Sequence, residues 1–399
     1  MDDNNFRDRY CIVGLGVTDV GHLPGCTPRM MEVEAGRLAL ADAGLKPEDI
    51  DAAIQGESDP GGGVRPRFDD AFPRMLGLPV KVYFTVGRGG EVATMAILAA
   101  TQLLNLGIAN YVMIAGARND WSRTQKIRTE GRRGQVFMEK EGVWGRPFGA
   151  VTAASFHGLL ATRHMEEYGT TSRQLGAVAV AERQWACLNP QAFMYGKPMT
   201  IEDHQNSPIV VAPYHLLDIC LQSDGATAFI VTTAERAKNL RKPPLYIMGL
   251  GFGEHMGKLW WDKQNYTNLA VESAKKDAFR MAGIELADID VAELYDCFTA
   301  EVILQLEDYG WCKKGEGGPF VAAGHIGPGG DVPVNTGGGL LSSHHLGNLT
   351  CVAEAITQLR GEGGERQVKD AEIALATGHG GEIVSGQMCS IHSSLLLRR

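Results

Sequence analysis

The sequence predicts an α/β protein in which one structural unit occurs twice. Short apolar runs that suit buried strands alternate with longer stretches of helical apolar spacing. Ala43-Gly44-Leu45 and Asp49-Ile50-Asp51 recur as Ala282-Gly283-Ile284 and Asp288-Ile289-Asp290, both shifted by the same 239 residues that separate Ala43 from Ala282. Thr101-Gln102-Leu103 reappears as Thr357-Gln358-Leu359, each late in a helix that follows a glycine-rich turn. The shared order of these short matches makes two copies of one unit the better reading than chance. Alternation of strand and helix implies mixed, mostly parallel sheets covered on both faces.

Residues 10–21 read as a buried first strand running into a turn. Their glycines lack the Gly-x-Gly-x-x-Gly spacing, so no dinucleotide site is supported. A helix is expected over Pro28–Ala43, stopped by Gly44. Short strands follow at 52–55 and Val82–Val86, and the turn Gly87-Arg88-Gly89-Gly90 leads into a helix over 91–106 and a strand at 111–116. Residues 117–245 do not repeat. Within them, 119–149 is polar and glycine-rich, with Trp121, Trp144, Arg146 and Phe148, and reads as an excursion covering a site or a partner surface. Helices are expected over Ala153–Tyr168 and 171–188, then a bend at Ser223-Asp224-Gly225-Ala226 within a segment, 216–232, that ends as a buried strand. The second copy closes with a strand at 373–377. The expected division is 1–245, an N-terminal half with a lid or insert at about 117–215, and 246–399, a C-terminal half.

Composition narrows the function. The chain is 44% hydrophobic and 21% charged, which is ordinary for a globular protein. A net charge of −9 without a polybasic run argues against nucleic acid as a partner. The acidic, polar start Met1-Asp2-Asp3-Asn4-Asn5 is no signal peptide, and the apolar runs are too short to span a bilayer. The eight cysteines include no Cys-x-x-Cys pair, so neither a zinc knot nor a disulfide framework is indicated. A cytoplasmic enzyme with reduced thiols and no bound metal is expected.

The chemistry gathers at 335–348, which contains three successive glycines, then His344 and His345. Glycine lets backbone approach a ligand closely. The helical spacing of Leu349, Val352, Ala353, Ile356 and Leu359 puts both histidines near a helix N-terminus, where free N–H groups favour developing negative charge. Imidazole suits proton transfer near neutral pH. If the two copies pack about a pseudo-twofold axis, this turn faces Gly87–Gly90 across one crevice, and His379 in Gly378-His379-Gly380-Gly381 faces it as well.

Several motifs resemble the thiolase superfamily, in its sterol-carrier-protein and lipid-transfer-protein branch, over nearly the whole chain. They are Arg163-His-Met-Glu-Glu-Tyr-Gly, Ser223-Asp-Gly-Ala-Thr-Ala, Tyr295-Asp-Cys-Phe-Thr, Asn335-Thr-Gly-Gly-Gly-Leu, His344-His-Leu-Gly and Gly378-His-Gly-Gly. The resemblance implies a five-layered αβαβα fold from two duplicated halves, and a homodimer. It also implies a nucleophilic cysteine at the first-half turn, but Thr85-Val-Gly-Arg-Gly-Gly has none. The second cysteine of degradative thiolases is missing too, since Ala376-Thr-Gly-His-Gly-Gly stands at its place.

A cysteine-free branch, the thiolase-like aldolases of steroid side-chain degradation, carries tyrosine where thiolases have the histidine of His-Asp-Cys-Phe-Thr; here that residue is Tyr295. Those aldolases have a second tyrosine in the turn matching 342–345, where this chain offers His344. The resemblance therefore implies retro-aldol cleavage of a β-hydroxyacyl-CoA, which needs a base, an acid and an oxyanion site but no nucleophile. Tyr295, His344 and His379 are the candidate catalytic residues. His345, Asn335, Gly87, Arg88, Gly380 and Gly381 are the candidates for holding the thioester, with coenzyme A present only as part of the substrate. A small zinc-ribbon/OB-fold partner subunit is expected alongside the homodimer. The alternatives are a β-ketoacyl-CoA thiolase with a displaced nucleophile such as Cys297, and a non-catalytic acyl-CoA or lipid-binding subunit.

Overall fold

The computed structural model describes residues 6–56, 71–87, 89–129, 149, 152–254, 267–380 and 391–399. The elements that position the site are, in chain order, β1 (Tyr10–Val17), α1 (Pro28–Ala43), β2 (Ala52–Gly56), β3 (Val82–Val86), α2 (Val92–Asn105), β4 (Tyr111–Asn119), α3 (Asp120–Thr129), α4 (Ala153–Tyr168) and α5 (Ser172–Cys187). They continue with β5 (Asp224–Thr233), β6 (Leu245–Glu254), α6 (Val271–Ala282), β7 (Val291–Glu293), α7 (Thr299–Tyr309), α8 (Leu349–Leu359), β8 (Ile373–Gly380) and β9 (Ile391–Arg398).

The strands run in the order β3-β2-β4-β5-β1-β6-β9-β8-β7. Two half-sheets meet between β1 and β6, which pair only at Cys11–Tyr246 and Ile12–Leu245. The sheet is mixed: β3-β2-β4 and β8-β7 are parallel, and the strands between them pair antiparallel. Helices α2 and α8 each touch strands of both halves, so they form a middle layer; α1 covers β1, β4 and β5 from outside, and α6 covers β6 and β9. That makes five layers, αβαβα.

The 239-residue offset has a structural cause. Gly44 and Gly283 end α1 and α6 in the left-handed conformation, at φ 72° and 62°. Each is followed by a 3₁₀ turn, Pro47–Asp49 or Leu286–Asp288, whose last aspartate caps the amide three residues back, Lys46 or Glu285, at 2.8 Å. The next aspartates do equivalent work. Asp51 accepts the amides of Asn110 and Tyr111 at the start of β4, and Asp290 accepts those of Glu372 and Ile373 at the start of β8.

Alternation along the strands sorts side chains into two cores. Ile12, Ile54, Val112 and Ile114 point into the middle layer, while Cys11, Val13, Ala53 and Met113 lie under α1. Gly14 and Gly16 serve packing rather than a nucleotide: a Cβ there would stand 2.6 Å and 2.0 Å from carbonyls of α1. Gly249, Gly251 and Gly253 of β6 bring α6 equally close. The stretch 119–149 is not wholly irregular, because Asn119 closes β4 and Asp120–Thr129 is helical; Trp144, Arg146 and Phe148 lie outside the described residues. No described helix is long and apolar enough to cross a membrane.

Candidate active site

Tyr295 follows the end of β7 and is held from both sides. Its amide donates to Thr377 Oγ1 of β8 at 2.8 Å, and its carbonyl accepts from Gln305 Nε2 of α7 at 2.7 Å. Thr377 and Gln305 are themselves bonded, at 2.7 Å. The backbone clamp aims the phenol across the crevice to His345 Nε2, at 3.3 Å. The first-half turn lies directly against this ring. A Cβ on Gly90 would fall 2.0 Å from the carbonyl oxygen of His379 and 2.7 Å from the Tyr295 hydroxyl, so the close approach requires glycine.

The turn carrying the histidines rests on buried carboxyl groups. Asn335 adopts φ 51° and donates through Nδ2 to Glu182 Oε1 at 2.8 Å. Gly338 and Gly339, at φ 98° and 60°, start a single π turn over Gly339–Ser343. Asp296 Oδ2 accepts the amides of Leu340 and Leu341 at 2.7 and 3.0 Å, and Arg183 Nε donates to Ser342 Oγ at 3.0 Å. Burial, and then the adjacent Asp296 carboxylate, push Glu182 well above the ordinary carboxylate range. Burial also raises Asp296, to about 6, against the opposing effect of Glu182 and the two amides. The pair therefore keeps a proton on Glu182 while Asp296, the one supplied with amides, holds the charge.

His344 is extended, at φ −167° and ψ 156°, so its ring and that of His345 leave on opposite sides. His344 Nδ1 meets Ser343 Oγ at 2.9 Å, and burial pulls its pKa down to about 4. His345 turns to Tyr295. Its amide donates to Ser223 Oγ at 2.8 Å, and its Nδ1 lies 3.7 Å from Cys220 Sγ. Burial, with Arg118 and His344, holds His345 well below its usual pKa. Asn348 then joins the two halves: its Oδ1 accepts the Ala93 amide and its Nδ2 donates to Thr94 Oγ1, each at 2.8 Å, at the start of α2. The two helix N-termini thus converge, as the repeat requires.

The structure distributes the expected residues unevenly. Tyr295, His345, Gly90 and the backbone of His379 come together. His344 does not reach Tyr295; its ring borders a separate chamber with Val17, Gly337 and Cys351. The His379 ring is fully buried, its centroid 6.0 Å from those of His157 and His392. Behind it, His157 hydrogen-bonds Glu301 beside Cys297. Asn335 is 1% exposed and supports the turn through Glu182. Gly87 is exposed at the end of β3, and Gly380 lies at the end of β8, where a Cβ would stand 2.9 Å from the Gly90 nitrogen. Arg88 and Gly381 lie outside the described residues. The sequence reading passed over Cys220, Asn348 and the Glu182–Asp296 pair. Asp296 and Asn348 lie within motifs already noted, and Cys220 lies three residues before Ser223, but only the closed fold shows what they touch.

Residues 254–394 match the family described as thiolase C-terminal domain-like. The chain is 34% identical over 382 residues to the steroid side-chain-cleaving aldolase of Thermomonospora curvata, covering 94% of this chain and 96% of that one. The chain belongs to the thiolase superfamily. Within the superfamily it stands with the thiolase-like aldolases, enzymes that cleave a carbon–carbon bond. The 17-hydroxy-3-oxo-4-pregnene-20-carboxyl-CoA lyase of Mycobacterium tuberculosis is also 34% identical, over 94% of this chain and 97% of that one. The solved structure of the Ltp2-ChsH2(DUF35) aldolase superposes with a TM-score of 0.84 at 32% identity, covering 98% of both chains. The acetyl-CoA acetyltransferase of Syntrophomonas wolfei, at 17% identity and a TM-score of 0.68, shares the superfamily's fold.

Proposed function

We propose that this enzyme splits a β-hydroxyacyl-CoA by a retro-aldol reaction in which Tyr295 and His345 move the proton. The observation that carries the reading is the Tyr295 hydroxyl set 3.3 Å from His345 Nε2 beside a first-half turn with no nucleophile. Tyr295 passes its proton to Nε2 in the same step in which its oxygen takes that of the substrate β-hydroxyl, because the lowered pKa of His345 does not support a standing phenolate–imidazolium pair. As that proton leaves, the carbon–oxygen bond becomes a carbonyl and the Cα–Cβ bond breaks. Its electron pair passes to the thioester as an enolate. The proton then returns through Tyr295 to Cα, giving a ketone or aldehyde and a shortened acyl-CoA. Amide groups of Gly89, Gly90 and Gly380 are the proposed donors to the enolate oxygen, with His379 supporting them, Gly87 at the mouth of the crevice and Arg88 meeting the phosphates of coenzyme A.

The neighbouring sulfur supports a proton relay over acyl transfer. Burial pushes the Cys220 thiol up to about 12 and Cys351 well above its ordinary value. Cys220 therefore stays protonated beside His345, where it accepts from Nδ1–H and fixes the ring, and no thiolate–imidazolium couple forms. The substrate class we propose is a bulky β-hydroxyacyl-CoA, such as one with a steroid side chain, as the names of the two aldolase and lyase relatives suggest. A homodimer with a small zinc-ribbon/OB-fold subunit is proposed as the working assembly; the two-component name of the Ltp2-ChsH2(DUF35) aldolase supports it.

The test is incubation with a tertiary β-hydroxyacyl-CoA, with and without that subunit, followed by product identification. A ketone and a shortened acyl-CoA in equal amounts, with no added free CoA, are expected. Cleavage that demands free CoA would instead identify a thiolase.

A further inference from the structure

Three buried side chains of different chemistry meet on the far side of the His379 ring. His157 comes from α4, Glu301 from the first turn of α7, and Cys297 from the segment that leads into α7. One donor atom from each, a ring nitrogen, a carboxylate oxygen and the sulfur, lies within 4.8 Å of the other two. The three residues are 1%, 0% and 8% exposed in that order, so the group is almost closed to bulk water.

The Glu301 carboxylate is incompletely satisfied. Its Oε1 meets His157 Nδ1, and among the described residues His157 is its one ion-pair partner. Its Oε2 is buried with no hydrogen-bond partner among the described residues. Such an oxygen is costly to leave unpaired, and the neighbouring donors offer a way to pair it. Charge and donor type then select the occupant. A thiolate, a carboxylate and a neutral imidazole carry two negative charges between them, which balance a dication where an unbalanced charge would be costly. Magnesium and calcium take oxygen ligands, whereas sulfur with imidazole and carboxylate suits zinc. Zinc bonds these atoms at about 2.0–2.3 Å and, in a tetrahedron, sets them roughly 3.3–3.8 Å apart. The ion fits among the donor atoms themselves and needs no cavity of its own.

We propose that His157, Cys297 and Glu301 form a zinc site, with three protein ligands and a fourth position open. On binding, a zinc–sulfur bond forms as the Cys297 thiol proton leaves to solvent, and the His157–Glu301 hydrogen bond gives way to bonds to the ion. The site does not rest on the retro-aldol reading, because none of the three residues is assigned to the proton transfer. It also commits the Cys297 sulfur, which the alternative thiolase reading needs as a nucleophile. Spacing along the chain gave no sign of it, since His157 and Glu301 stand 144 residues apart.

Cobalt(II) titration of the full chain, after dialysis against a chelator, tests the site by absorbance, and competition with a chromophoric chelator gives the zinc affinity. One cobalt per chain is expected, with a sulfur-to-cobalt charge-transfer band, and zinc should displace it. Cys297→Ser should abolish the band and weaken zinc about tenfold or more, and Glu301→Gln should weaken zinc by a similar factor while keeping the band. Melting curves check that each variant is folded. Less than one ion per chain, no charge-transfer band, or unchanged zinc affinity in either variant would overturn the proposal, the last marking an adventitious ion only. Where a variant does not fold, X-ray absorption of the zinc-loaded wild type decides. One sulfur ligand beside nitrogen and oxygen supports the site; no sulfur, or more than one, contradicts it.

Discussion

The two glycine turns at the starts of α2 and α8 occupy equivalent places in the duplicated halves, and they have become opposites. The described residues of the first-half turn, Gly87, Gly89 and Gly90, are backbone alone. No nucleophile stands there, and Gly90 serves by having no side chain, since the space beside it belongs to Tyr295 and His379. The second-half turn is dense with side-chain support: Asp296 holds two of its amides, Glu182 holds Asn335, Ser223 holds the His345 amide, and Asn348 ties it back to α2. One copy offers shape and the other, on the proposed reading, proton chemistry. That division suits a reaction needing an oxyanion site and a base but no covalent intermediate.

The sharpest way to break the comparison is at the residue both turns serve. Tyr295→Phe removes the proposed proton carrier while keeping the ring against Gly90, and kcat for cleavage should fall about 10²–10⁴-fold with little change in melting temperature. An activity near wild type would shift the proton chemistry elsewhere. Gly90→Ala tests whether the first turn matters only as space. The added methyl collides with the His379 carbonyl and the Tyr295 ring, and displacement of the phenol should cost up to about 10²-fold in rate. If the variant is fully active, the close packing of the turn against Tyr295 has no catalytic meaning.

Glu182→Gln sharpens the other side of the comparison with a smaller effect. The folded pKa of Glu182 lies above its ordinary 4.5. The stability of its protonated form is therefore fully present below about that pH and is lost as pH rises through the folded value. Glutamine keeps the uncharged shape at every pH. The melting temperatures of variant and wild type should coincide near pH 4, and the variant should gain on the order of a few °C by pH 8. A constant difference at all pH values would mean that Glu182 is not the proton-bearing carboxyl.

Much of this was legible in the sequence because it is local. The offset between Asp49-Ile50-Asp51 and Asp288-Ile289-Asp290 reports caps and strand starts made by those same residues. Tyr295 was legible from its motif. The choice between His344 and His345 was not, because it depends on the π turn and on the extended backbone at His344, which send the rings to opposite sides. Cys220 and the Glu182–Asp296 pair were hidden for another reason. Cys220 meets His345 from 125 residues away, and Glu182 meets Asn335 from 153. No pattern along the chain marks such pairs before the halves close.

The central claim, cleavage without an acyl-cysteine, is tested most directly by acid-quenching the enzyme during turnover of a tertiary β-hydroxyacyl-CoA and measuring its intact mass. The account predicts unmodified protein while ketone and shortened acyl-CoA accumulate one for one. An acyl adduct on any cysteine, formed at the rate of turnover, would contradict it.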